Sequence, residues 1–439
     1  MTSRSTALVR PRLTAAVALA LVGALAAACG GGDAPDDRGS APSSPSSAAA
    51  SDTTTPSGTP TASSTPSTSP SATASETSSP PDAGGTANVS ACARRTADAL
   101  TEQQALGQLL MVAFQTGDSR TALDDLIADQ HVGNVIYLGG WDGASLVKKT
   151  SAHLQAQATK AATAGIPLLL AADQEGGEVR QLRGEGFSKV PSAKVQAQMS
   201  SAELTAAAKG WAGELKAVGI NVNLAPVTDT VPADIGTANE PIGKYGRQYG
   251  SDPATVTKAS TAFLKGMIEG GIMGTVKHFP GLGRIRNNTD FNATGITDNI
   301  ATPKDPFLAP FTAGVKAGAG LVMVGSARYP GLDDTRTQAM FSKPIITGLL
   351  RDQLGFDGVV ITDDINAKAV QAIPVAERAT SFLRAGGDIL LTGDPKSVPA
   401  MTKAITDKAR ADEGFALHVD AAVLRVVALK ERMGLISCS

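Results

Sequence analysis

Between residues 109 and 392 the chain returns eight times to a short apolar run, at 109–114, 132–138, 167–172, 220–226, 274–279, 320–325, 358–362 and 388–392. Short apolar runs bounded by turn residues read as buried strands. Between them lie stretches rich in Ala, Lys, Leu and Glu, such as 145–164, 201–218 and 253–270, which suit helices. Eight strand–helix repeats in a segment of this size point to an α/β fold, a single (β/α)8 barrel of the TIM type. The competing arrangement is an open doubly wound sheet. No G-x-G-x-x-G follows the first run, which counts against it.

In a barrel of this kind, reactive groups collect at the C-terminal ends of the strands. There the third run gives way to Asp173-Gln174-Glu175-Gly176-Gly177, acidic groups followed by glycines that let the backbone turn. The fourth ends at Pro226 and is followed by Asp229, then by a long loop to Arg247. The fifth carries Lys277 and His278 and is stopped by Pro280, Gly281 and Gly283. The polar loop beyond it closes on Asn287-Asn288-Thr289-Asp290. The seventh ends Ile361-Thr362-Asp363-Asp364. Buried strands seldom end in paired carboxylates for packing reasons, because unpaired buried charge is costly. Helix capping is the alternative for Asp363 and Asp364, and it accounts for one of them.

A cleft holding several carboxylates with a Lys, an Arg and a His suits a polyhydroxylated substrate. Each sugar hydroxyl donates to a carboxylate or accepts from a cation, and charge-assisted bonds of that kind are strong. Glycoside hydrolysis also needs two carboxyl-type groups astride the scissile bond. The formal charge of −2, without a basic cluster, argues against a nucleic-acid partner. No Cys/His spacing suggests a metal site, and no phosphate cradle or cofactor motif is present in the sequence. A monomer needing no cofactor is expected.

Ahead of the repeats, Arg4, Arg10 and Arg12 precede an apolar run at 13–28 that is short for a bilayer span. It closes on Leu25, three alanines and Cys29, and so resembles a bacterial lipoprotein signal peptide (1–28) cut before a lipid-bearing Cys29. An ordinary secretory signal is the alternative; either way the mature chain is expected outside the cell, held to the outer face of the membrane by its lipid. Residues 29–90 are Ser, Thr, Pro, Ala and Gly with almost no large apolar side chain, which marks a disordered tether. The folded domain is then 91–439. Cys92 and Cys438 stand at its two ends, and in an oxidising compartment that placement suggests a bridge, two free thiols being the alternative.

The motifs DQEGG at Asp173, NVNLAPVTD at Asn221, PIGKYGRQYG at Pro241, KHFPGLG at Lys277 and GFDGVVITDDI at Gly355 occur in an order and spacing that resemble the family 3 glycoside hydrolases. The resemblance is to their single-domain bacterial β-N-acetylglucosaminidases and spans essentially all of 91–439. It implies a (β/α)8 barrel and an exo-acting enzyme that retains configuration through a covalent glycosyl-aspartate on Asp363. It further implies that Asp173, Arg247, Lys277 and His278 hold the terminal sugar, from cell-wall fragments in an exported protein. Three positions depart from the family pattern. Gln181 stands where EGGxVxR would place Arg, with Arg180 displaced by one; Ser326 replaces a His; and Asn288 with Asp290 replaces the usual Asp-x-His dyad. Asp290 is therefore the candidate acid/base. The departures leave two alternatives open, a protein that binds glycan without turnover and a glucosidase-like specificity.

Overall fold

The structure, a computed structural model, describes residues 89–438. The expected signal peptide, Cys29 and the tether as far as residue 88 lie outside the described residues. The fold begins slightly ahead of the expected boundary at 91. The Ser90 side chain accepts the Ala93 N–H and caps the helix Ala91–Asp98, and Val89 packs against the core.

Eight parallel strands build the barrel: β1 (Leu110–Gln115), β2 (Asn134–Leu138), β3 (Leu169–Ala172), β4 (Val222–Asn223), β5 (Met273–Phe279), β6 (Leu321–Val324), β7 (Val359–Thr362) and β8 (Leu390–Thr392). They pair in chain order from β1 to β7, and β8 lies beside β1 with Leu390 opposite Leu110. The ring closes through the parallel bridge between Ile361 and Ile389, where Thr362 N–H donates to the Ile389 carbonyl at 3.0 Å. The residues of β3, β6, β7 and β8 are all buried, because helices cover the outside of the sheet and side chains fill the inside.

The outer helices start where their residues allow. Thr101 with Gln104, and Ser200 with Glu203, form capping boxes ahead of Glu102–Gln108 and Ser201–Ala217. Asp252 caps Pro253–Glu269, whose first residue is a proline with no N–H to satisfy. Gly266 lets the last two helices meet, since a Cβ there would lie 2.4 Å from the Thr205 carbonyl oxygen.

Two expected elements depart most from their sequence pattern. The stretch 145–164 forms two helices, Ala144–Gln157 and Lys160–Thr163, because the Thr159 side chain accepts the Ala162 N–H and starts a new cap. The run 220–226 is regular only over β4. Pro226 removes a donor, and pairing persists beyond as single bonds, Leu224 N–H to the Ala172 carbonyl and Thr275 N–H to that of Ala225.

Structural charge collects at the N-terminal ends of the strands. Asp388, fully buried, accepts from Arg351 at 2.8 Å, from Arg425 at 2.7 Å and from Val360 N–H at 2.7 Å. Cys92 and Cys438 are joined by a disulfide, with Cα atoms 5.8 Å apart.

Candidate active site

The turn after β3 is made by two glycines with positive φ, Gly176 at 110° and Gly177 at 61°. A Cβ on Gly176 would lie 2.1 Å from the Pro191 carbonyl oxygen, so only glycine fits. The turn folds Gln174–Gly176 back against Val179–Arg180 as a small antiparallel pair, with Asp173 and Glu175 on the side of Lys277. Lys277 Nζ, at the end of β5, lies 2.5 Å from Asp173 and 2.7 Å from Glu175. Glu175 also accepts twice from Arg247, at 2.9 Å from Nε and 2.7 Å from Nη2. Burial works against charge on the Glu175 carboxyl, but Arg247 and Lys277 outweigh it and hold the group down at about 2. Burial likewise opposes charge on Lys277, and Asp173 and Glu175 reverse the effect and raise it. Two cations and two carboxylates thus form one fixed polar wall.

His278 continues that wall. Asp229 accepts from its Nδ1 at 2.8 Å and takes Leu282 N–H on its other oxygen at 2.6 Å. The second ring nitrogen, Nε2, is 3.4 Å from Arg247 Nη2. The peptide bond between Lys277 and His278 is cis, and both side chains line the same cleft. Glu175 and Asp229 are the two members of this wall that sequence reasoning did not assign to the site. Glu175 sits inside DQEGG, and Asp229 follows closely on the apolar run 220–226, so both were visible as strand-end acids. Neither pattern says which cation or imidazole it serves.

The opposite side carries the two candidate catalytic carboxylates. Asp363 follows β7, takes the Asp364 N–H on its carboxylate at 2.9 Å and otherwise faces the cleft. Its neighbour Asp364 is occupied, accepting from Asn366 N–H at 2.9 Å and Gly393 N–H at 3.0 Å. Asp290 comes from the loop after β5. The residue as a whole is exposed, yet protein crowds its carboxyl on the cleft side. That crowding, together with the negative charges of Asp363 and Asp364, raises the carboxyl to about 6 against the pull of His278 and Arg247. Asn288, where the family pattern has the dyad's Asp, builds the loop instead: its side-chain oxygen accepts the Asp290 N–H at 2.9 Å.

Asp173, Arg247, Lys277, His278, Asp290 and Asp363 line one cleft of about 300 Å³ at the C-terminal mouth of the barrel. That volume is at the small end of ligand pockets and suits about one sugar ring. Wider hollows of about 690 and 990 Å³ lie among the outer helices, but they gather none of these groups. Gln181 and Arg180 do not line the cleft: Gln181 accepts the Gly140 N–H at 3.2 Å, and Arg180 Nε donates to the Gly177 carbonyl at 2.9 Å. Ser326 is buried, and its hydroxyl has no partner among the described residues.

Residues 101–429 match the glycosyl hydrolase family 3 N terminal domain. A beta-hexosaminidase of Xanthomonas oryzae pv. oryzae is 33% identical over 305 residues, covering 68% of this chain and 86% of the relative. Among solved structures, a β-N-acetylhexosaminidase from Beutenbergia cavernae is 44% identical, covers 76% of this chain and 99% of its own, and superposes with a TM-score of 0.71. A family 3 β-N-acetylglucosaminidase from a Paenibacillus species is 30% identical, covers 78% of this chain and 64% of its own, with a TM-score of 0.68. With the barrel, the strand-end acids and the matched span in agreement, the chain belongs to glycoside hydrolase family 3 and is a glycoside hydrolase.

Proposed function

We propose that this enzyme is an exo-acting, retaining β-N-acetylhexosaminidase that removes terminal β-linked N-acetylglucosamine from cell-wall fragments. The names of its relatives support the amino sugar. The apolar run ending at Cys29 supports an exported lipoprotein working at the outer face of the membrane. One observation carries the mechanism: Asp363 and Asp290 line the same cleft, where burial first and the charge of Asp363 second push the Asp290 carboxyl up. Asp173, Arg247, Lys277 and His278 hold the hydroxyls of the terminal sugar. Asp363 attacks the anomeric carbon, and the departing glycosidic oxygen takes the proton of Asp290. Forming the ester removes the negative charge of Asp363, so Asp290 becomes a stronger acid and stays ionised. It then takes a proton from water as that water cleaves the glycosyl-aspartate, which restores both carboxyls and yields the retained sugar. A carboxylate at this position would repel phosphate, which favours hydrolysis over phosphorolysis.

A panel of aryl β-glycosides tests the reading. Release of aglycone from the N-acetylglucosaminide, at kcat/KM at least about tenfold above the glucoside, is the expected result. Preference for the glucoside would assign a glucosidase, and no release from any member would leave a glycan-binding protein.

A further inference from the structure

The cleft holds the sugar that is cleaved off, and its lining includes no Phe, Tyr or Trp. The mechanism proposed above, on which this inference rests, says where the leaving sugar must go. A general acid sits against the glycosidic oxygen, so the ring on the far side of that oxygen lies past Asp290, toward the mouth. The next residue is Phe291, at 71% the most exposed large apolar side chain among the described residues. A single exposed apolar side chain is ordinary on a protein surface; this one is distinguished by how it is held. Phe291 N–H donates to the Asn288 carbonyl at 3.2 Å, and Asn292 N–H donates to the same oxygen at 2.9 Å. The Asp290 carbonyl in turn accepts the Lys368 N–H at 3.1 Å, tying the turn to the segment after β7. The acid and the residue that carries the ring therefore sit side by side on one hydrogen-bonded turn.

We propose that Phe291 is the platform of a leaving-group subsite, on which the C–H face of a pyranose stacks while its oxygen waits beside Asp290. A flat ring offers a large apolar area and a face of negative polarisation, which attracts the weakly positive C–H groups of a sugar. The class of leaving group it selects is a second pyranose, in preference to a small alcohol or a flexible chain.

The test compares two substrates of similar leaving-group acidity. One is the β-1,4-linked disaccharide of N-acetylglucosamine; the other is trifluoroethyl β-N-acetylglucosaminide, which has no ring on the leaving side. Both need the proton of Asp290, so a displaced acid would slow both alike. Phe291→Ala is expected to lower kcat/KM for the disaccharide about tenfold, mainly through KM, and to leave the trifluoroethyl compound within about twofold. Phe291→Tyr, which keeps a flat ring, should retain the wild-type ratio. Equal losses on both substrates, or no loss on the disaccharide, would overturn the subsite. A wild-type enzyme that cleaves neither compound would overturn the hydrolase reading, and this inference with it.

Discussion

Asp363 and Asp364 are adjacent acids with different work. Both line the cleft, but Asp364 caps the turn after β7, taking two backbone N–H groups on its Oδ1, whereas among the described residues the Asp363 carboxylate accepts only the Asp364 N–H. Asp363→Ala is therefore expected to lower turnover about a thousandfold or more, at a stability cost of about 1 kcal/mol for the lost hydrogen bond. A 2-fluoro sugar that traps the intermediate should label Asp363, as peptide mass mapping would read; a label on Asp364 or Asp173 contradicts the assignment. The pair TDD was legible in the sequence as a nucleophile beside a cap. The partners of Glu175 and Asp229 were not, because Glu175 meets Arg247 from 72 residues away and Asp229 meets His278 from 49. Spacing along a chain carries no record of which strand ends face one another.

The loop after β5 is held from two sides. Asn288 N–H donates to Glu240 at 3.0 Å, in the loop after β4, and the carbonyls of Thr289 and Asp290 accept from Ala369 and Lys368 after β7. Its placement depends on three loops at once, which is why its role was visible only as a displaced motif. The strands were legible because parallel strands buried on both faces are continuously apolar; β4 was misjudged in length because Pro226 sits inside an apolar run without a donor. At the other end of the barrel, the last helix, Glu413–Arg432, is docked by Lys430, which is fully buried and donates to Gln108 at 2.7 Å and the Gly133 carbonyl at 3.0 Å. Burial lowers this ammonium from its ordinary 10.5 to about 7. Between those values the unfolded chain keeps the proton and the folded chain does not, so the unfolded state binds more protons and stability rises with pH. Below about 7 both states are protonated and the full penalty of burial remains. In denaturant titrations from pH 7 to 10, Lys430→Met is expected to remove a rise of a few kcal/mol that the wild type shows. Parallel pH profiles for the two proteins would contradict it.

At the scale of the whole molecule, a barrel closed in chain order brings Asp173, Arg247, Lys277, Asp290 and Asp363 to one mouth and leaves the two ends of the fold side by side. The placement of Cys92 and Cys438 in the sequence suggested that neighbourhood, and the disulfide closes a loop with a sequence separation of 346. In the chain-entropy view so long a loop stabilises by about 6 kcal/mol. The double variant Cys92→Ser/Cys438→Ser should unfold at a clearly lower denaturant concentration, and an unchanged midpoint would contradict this. What the mouth is for turns on one residue, since Asp290 stands where the family pattern calls for an imidazole. The decisive measurement is kcat/KM of Asp290→Ala on two N-acetylglucosaminides, one with a sugar as leaving group and one with 2,4-dinitrophenolate, which departs without a proton. A general acid at Asp290 predicts a loss of about a hundredfold or more on the sugar and less than about tenfold on the dinitrophenyl compound. Equal losses on both, or no loss on either, would contradict the account.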